Sequence, residues 1–288
     1  MERPAGAGAR IGALAWSVSF MVFGYLVSVA AGAVGFAAVA SRYPKIMGGP
    51  TAGLLVQSAA GIVVYGGLTW VVGRRALKLT FHELGWAPAR SGVPGFFRGF
   101  GLALGLAVLA QTAGLLAHSA WHWDGGTLGS YLARVLSLAA LLLPPALMEE
   151  LAFRGAAIGG MARGAGRLGA IGITAVMFSL AHGNNSGLTT LGLGNIALAG
   201  VFLGLTFFTR GGLWTATGAH LGWNLALAGL AAPVSGNSFD IPWIDFEPGT
   251  PVWLTGGNFG PEGGLLATGA LLLGVLVVGR WRRSEEMV

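Results

Sequence analysis

The chain contains no cysteine. That absence excludes disulfides, thiolate metal ligands and a cysteine nucleophile. Charge is nearly as scarce: only 10% of the residues are Asp, Glu, Lys or Arg, against about 25% in soluble domains. An ordinary water-facing globular surface cannot be built from so few. The net charge of +6 is scattered through short connections and gathers on no face, which argues against nucleic acid as a partner. Aspartate and glutamate together number 11, so a carboxylate inside an apolar run stands out.

Apolar residues and glycine are abundant: 54% of the chain is hydrophobic, 51 residues are glycine, and the mean hydropathy is +0.69. This is the composition of an all-α polytopic membrane protein, in which small residues let helices approach closely. The apolar runs predict about eight transmembrane helices, over roughly 11–39, 51–72, 96–117, 130–149, 168–182, 190–208, 213–231 and 264–279. The first run, behind Arg3 and Arg10, exceeds the ~7–15-residue core of a signal peptide and reads as a retained helix. It ends at Arg42, Lys45 and a Gly48-Gly49-Pro50 turn. Residues 1–288 read as one integral membrane domain. Within it, the fourth to seventh helices form a four-helix core over 130–231, and 233–263, rich in Pro and Gly, forms an extramembrane or interfacial loop.

Eight crossings put both termini on one side. All of the 17 basic residues except Arg42, Lys45 and Arg134 then fall on that side, while Asp124, Asp240, Asp245, Glu247 and Glu262 fall on the other. The bias predicts cytoplasmic termini in the inner (cytoplasmic) membrane of a cell. Several polar groups have plain explanations. His82 and Glu83 read as a solvated connector. His118, Trp121, His122, Trp123 and Asp124 have the numbers for a metal cluster, but the flanking tryptophans favour an interfacial belt. Arg163 and Arg167 lie in a Gly-rich turn before the fifth helix. Pro144 and Pro145 remove two backbone donors and are expected to kink or open the fourth helix just before its carboxylates.

The remaining polar residues sit inside apolar runs: Glu149, Glu150 and Arg154, then His182, then His220 and Asn224. An ionisable group near mid-bilayer costs at least ~2.5 kcal/mol and usually marks a function. Glu150 and Arg154 are four apart and share a helical face, so they can pair; Glu149 is turned about 100° away. Phe178 precedes His182 by one turn, and His220 precedes Asn224 by one turn. A carboxylate beside a histidine can hold and deprotonate water, and a histidine with an amide can bind a developing oxyanion. The set suits peptide-bond hydrolysis. In the leading reading no cofactor is required; the alternative is a divalent metal such as Zn²⁺ on Glu149, His182 and His220, although the His-Glu-x-x-His spacing of familiar zinc proteases is absent. Structural readings also exist: an ion pair at a helix end, an interfacial cap at His182, an interhelical bridge at His220 and Asn224. One difficulty is depth. Counted from the predicted helix ends, Glu149 lies near the terminus side and His182 towards the opposite one.

The three motifs resemble those of the CPBP family of intramembrane proteases, the CAAX prenyl protease 2 and bacteriocin-processing group also called Abi. Glu149-Glu150-Leu151-Ala152-Phe153-Arg154 is similar to its Glu-Glu-x-x-x-Arg, Phe178-Ser179-Leu180-Ala181-His182 to its Phe-x-x-x-His, and His220-Leu221-Gly222-Trp223-Asn224 to its His-x-x-x-Asn. Leu84-Gly85-Trp86 and Thr255–Gly263 extend the likeness. The resemblance implies a membrane endopeptidase, glutamate-dependent or metal-assisted, acting on a peptide or membrane-protein substrate. Glu149 would be the water-activating glutamate, His182 its partner, His220 and Asn224 the oxyanion-binding pair, and Glu150, Arg154 and Phe178 the support. Eukaryotic members remove the terminal tripeptide of prenylated proteins; others are linked to bacteriocin immunity or peptide maturation. Rival readings are a non-proteolytic membrane immunity or binding protein on the same scaffold, and a transporter, for which no internal repeat speaks.

Overall fold

The computed structural model describes residues 6–47 and 50–286; Arg3 and the expected Gly48-Gly49 turn lie outside them. Among the described residues the chain is all-α apart from one two-stranded sheet. Its helices are α1 (Ala7–Arg42), the short α2 (Pro44–Met47), α3 (Pro50–Leu68, continued by a π-helical stretch, Thr69–Ala76), α4 (Ala89–Ala113), α5 (Leu128–Arg154), α6 (Ala156–Ala181), α7 (Thr190–Phe207), α8 (Leu213–Gly229), the short α9 (Val252–Thr255) and α10 (Leu265–Glu286). The strands are β1 (Ala120–Trp123) and β2 (Ile244–Glu247).

Among the described residues, five stretches are long and apolar enough to cross a membrane: Ala7–Arg42, Thr51–Ala76, Ala89–Ala117, Leu128–Ala181 and Thr190–Phe207. The protein is thus a multi-pass membrane protein. Leu128–Ala181 contains both α5 and α6, α8 has 17 residues, and Leu265–Trp281 is a shorter apolar helix.

Two polar ends can be told apart by what touches what. At one end, the 77–88 connector meets the start of α8, where Leu213 N–H donates to Gly85 O at 2.9 Å and Trp86 packs edge-on against Trp214. Arg163 of α6 pairs with Glu83 at 2.7 Å, so this connector is tied down and not merely solvated. Gly164 lies against Arg10 O, and the Arg98 guanidinium lies 3.7 Å over the Trp281 ring. The start of α1 and the latter part of α10 therefore share this end, called here the terminus end. At the opposite end β1 pairs antiparallel with β2, Arg134 Nε donates to Asp240 O at 2.8 Å, and Asn185 Nδ2 donates to Ser235 O at 3.1 Å. The segment expected to be a tryptophan belt supplies β1 of this sheet, with Trp123 against Trp243 and His122 Nε2 2.9 Å from Glu247 Oε2.

The structure departs from expectation along α5 and α6. Helix α5 continues through Pro144 and Pro145. The interruption comes at Gly155, which is non-helical (φ −85°, ψ −119°). Beyond it the chain continues towards the terminus end: Gly159 abuts Glu83 O, Gly160 abuts Ser17 and Gly164 abuts Leu14. The reversal comes at Gly166, at φ 74° and ψ 170°, a conformation open essentially to glycine alone. The returning part of α6 then runs antiparallel to α7, with Ile171 against Gly204 and Ala175 against Gly200. Glu149 and Arg154 consequently lie well short of the terminus end.

Within the 233–263 segment Ile241, Phe259 and Glu262 are buried. At the centre stands α8, buried along its length except at Trp214 and Asn224. Its Gly218 and Gly222 face Phe96 O and Phe100 O of α4, where a Cβ would come within 2.1 and 2.3 Å. Reciprocally, Gly99 faces Thr215 O, where a Cβ would come within 2.2 Å. This glycine-to-backbone packing, the usual adhesive of membrane helices, fixes the rotation of α8 and with it the direction of His220.

Candidate active site

Glu149 and Glu150 leave α5 in different directions, as their adjacency on a helix requires. Glu150 is fully buried, and its Oε1 accepts from Arg154 Nη1 at 3.2 Å and from His220 Nδ1 at 2.8 Å. The sequence reading assigned Glu150 to Arg154 alone; the structure adds His220, because α8 is drawn close enough for its imidazole to reach the same oxygen. Arg154, also fully buried, donates through Nη2 to Gly200 O at 3.3 Å and lies with its guanidinium carbon 4.3 Å from the centre of the Phe178 ring.

Glu149 faces the two histidines. Its Oε2 is 3.7 Å from His182 Nε2 and 3.8 Å from His220 Nε2, and this buried oxygen has no hydrogen-bond partner among the described residues. His182 forms the C-cap of α6, and its Nδ1 lies 2.8 Å from Phe178 O. A carbonyl only accepts, so Nδ1 carries the proton and Nε2 is turned to Glu149. The same holds for His220, whose Nδ1 donates to the Glu150 carboxylate. Phe178 is a shared wall, its ring 4.5 Å from that of His182 and 6.0 Å from that of His220. Asn224 lines the same cavity one turn beyond His220.

The cavity has a volume of about 1050 Å³ and is lined by Glu149, Phe178, His182, His220 and Asn224 together with Glu262. Glu262 was not picked out as a site residue from the sequence and was placed on the far side. Its Oε1 accepts from Trp223 Nε1 at 3.1 Å and its Oε2 from Ser235 N at 2.5 Å and Ser235 Oγ at 2.9 Å. Burial raises its carboxyl above the usual range, opposed by the Ser235 hydrogen bonds and the nearby His182. The one available signal was a lone acid between Pro261 and Gly263, directly before a helix. The depth difficulty disappears with the fold: the chain continues past Gly155 to Gly166, so Glu149 reaches the level of His220, and His182 ends a returning helix that lies alongside.

The candidate metal donors are Glu149, His182 and His220. Each imidazole has Nδ1 bonded and Nε2 free, as metal-ligating histidines do, but among the described residues no group of three or more His, Asp or Glu side chains is arranged to hold a metal ion.

Fold and cluster together define a multi-pass helical membrane protein with a buried carboxylate–imidazole site opening on a cavity. Residues 131–226 match the family model described as type II CAAX prenyl endopeptidase Rce1-like. The match takes in all three motifs, and over this part of the chain the CPBP resemblance holds; the 84–86 and 255–263 segments lie outside it. No curated protein and no solved structure matches the chain.

Proposed function

We propose that this protein is an intramembrane endopeptidase that hydrolyses a peptide bond of a membrane-associated protein or peptide. In this reading the whole chain is one membrane domain of eight crossings, with both termini cytoplasmic in the inner membrane and the catalytic core within 130–231. The observation that carries it is the placement of Glu149 Oε2 opposite two imidazole Nε2 atoms. Separations of 3.7 and 3.8 Å are too long for direct hydrogen bonds and suit one shared water.

Glu149, with His182, takes a proton from that water as its oxygen attacks the carbonyl carbon. The carbonyl oxygen becomes an oxyanion, received by His220 and Asn224. To donate from Nε2 as well as Nδ1, His220 acts as an imidazolium, with Glu150 on one nitrogen and Glu149 near the other. As the C–N bond breaks, the proton held by Glu149 and His182 passes to the departing amine. Glu150, Arg154 and Phe178 keep the imidazoles in place. Apolar walls keep bulk water out, which strengthens each of these interactions.

The metal-assisted variant keeps the same three residues, which would hold the ion by Glu149, His182 and His220; a bound divalent ion would supply Lewis acidity to the water. The proposal itself requires no metal. A peptide library in detergent, offered to wild-type protein and Glu149→Gln before and after metal stripping, separates the readings. We expect the wild type to cut after stripping and the variant to lose at least about 100-fold, the span of one acid–base group. Undiminished cleavage by a folded Glu149→Gln would overturn the assignment, and loss of wild-type cleavage on stripping, restored by Zn²⁺, would move it to the metal. No cleavage by the wild type would leave a binding or immunity role on this scaffold.

A further inference from the structure

The cavity around Glu149 does not reach the terminus end. None of its lining residues comes from the 77–88 connector, the Gly166 turn or the 208–212 turn, which make up the terminus end. Its polar rim comes from the opposite end: Asn184 and Asn185 after α6, Ser238 and Asp240 before β2, and Arg134 at the start of α5. Asn184, Ser238 and Asp240 are exposed.

A second side of the cavity is apolar and faces the lipid. Near the terminus end α1 packs against α6, where Gly160 and Gly164 receive Ser17 and Leu14. Further along α1 the lining residues Val22, Tyr25, Leu26 and Val29 are all exposed, as is Leu180 across from them on α6. The two helices thus bound a cleft that runs from the bilayer to the carboxylate–imidazole cluster. Within lipid such a wall carries no hydrophobic penalty and exchanges acyl chains for an apolar peptide at little cost. The polar rim, by contrast, needs water or a peptide backbone as its partner.

We propose that the substrate is a polypeptide carrying an apolar membrane segment, which docks between α1 and the returning part of α6 and exposes its scissile bond on the side opposite the termini. The proposal rests on the endopeptidase reading and on cytoplasmic termini, and it places cleavage in the extracytoplasmic half of the membrane. A prenylated C-terminus displayed in the cytoplasm would lie on the wrong face. Continuity of the apolar cleft with the Glu149 cluster selects a membrane-held chain over a free soluble peptide, for which the exposed α1 wall has no use.

The absence of native cysteine makes the test clean. Single variants Ser186→Cys and Ser238→Cys mark the rim end, and His82→Cys marks the terminus end. A membrane-impermeant maleimide applied to intact cells should label the first two and should label His82→Cys only after permeabilisation. Two single-span reporter peptides with the same cleavable tail, one tail outside and one cytoplasmic, are then offered to wild-type protein in cells. The outside-tailed reporter should be cut at least tenfold faster, and a bulky maleimide on Ser238→Cys should slow that cleavage at least tenfold against the unlabelled variant. Labelling of His82→Cys but not Ser186→Cys in intact cells, or equal cutting of the two reporters, would overturn the proposal. If labelling is as expected but wild-type protein cuts neither reporter nor the peptide library in detergent, the endopeptidase reading falls and takes the substrate with it.

Discussion

Replacing Glu150 by Gln removes one charge and almost no volume, so it isolates what that charge does. Glu150 and Arg154 are each 0% exposed, and among the described residues the guanidinium has Glu150 as its counter-ion within contact distance; it also meets Gly200 O and the Phe178 and Phe153 rings. Breaking one partner out of a buried pair costs about 3–5 kcal/mol, because the other charge stays buried and uncompensated. For a chain of this size, at roughly 2–4 °C per kcal/mol, the apparent Tm in detergent should fall by about 6–20 °C. The double variant Glu150→Met/Arg154→Met leaves no guanidinium without its counter-ion and should regain most of that loss, since apolar replacements of a buried pair are often neutral or better. Cleavage should not return with it, because His220 Nδ1 has lost the carboxylate that orients it. The assay pairs thermal denaturation with turnover on the same three preparations. A Glu150→Gln protein as stable as wild type, or a double variant that recovers turnover along with stability, would refute the two-fold role given to Glu150.

Two further outcomes follow from the backbone and from the connector. Gly166→Ala should lower stability by about 1–3 kcal/mol, the cost of an unfavourable backbone conformation. Nothing lies within 4 Å of the added Cβ, so the whole loss comes from φ 74°; Gly172→Ala, in a helical position with open space, should be neutral or slightly stabilising in a thermal melt. Glu83 titrates below its usual range: burial acts to raise it, but hydrogen bonds from Arg163 and Thr80 and the charge of Arg163 prevail. A lowered folded pKa gives stability that is present above the ordinary value of 4.5 and is lost as pH falls through the folded value. Glu83→Gln should therefore flatten the drop in Tm on acidification below pH 4.5, by no more than about 1 kcal/mol for a pair about one third exposed. An unchanged pH profile would remove the Arg163 tie from the account.

The helices were legible because a lipid solvent forces apolar runs of a given length. The split between Glu149 and Glu150 was legible because helical spacing fixes which of two neighbours meets Arg154. The bond from His220 to Glu150 was not, because it depends on how closely α8 can approach, and that is decided by Gly218 and Gly222 against the backbone of α4. With 51 glycines in the chain, neither stands out by type. Glu262 was missed for a related reason: a segment dense in Pro and Gly reads as surface, and nothing local reveals that Trp223 and Ser235 supply its hydrogen bonds. The β1–β2 sheet joins residues more than a hundred positions apart through four pairs, a register no short pattern announces.

The turn at Gly166 is the hinge of the reading. Had the chain reversed at Gly155, where α5 formally ends, Glu149 would sit within two turns of the terminus end, and His182, at the far end of a full-length returning helix, would be out of its reach. Because the reversal is delayed to Gly166, the Glu149 turn is carried inward to the level of Gly200, and the returning part of α6 needs to climb only from Ile171 to His182 to meet it. The same delay leaves the terminus end packed by Gly159, Gly160 and Gly164 against the connector and α1, and the open space on the other side of the cluster. Depth of the carboxylate and direction of the cavity are thus two results of one backbone choice. A chain that moved its reversal would lose both together.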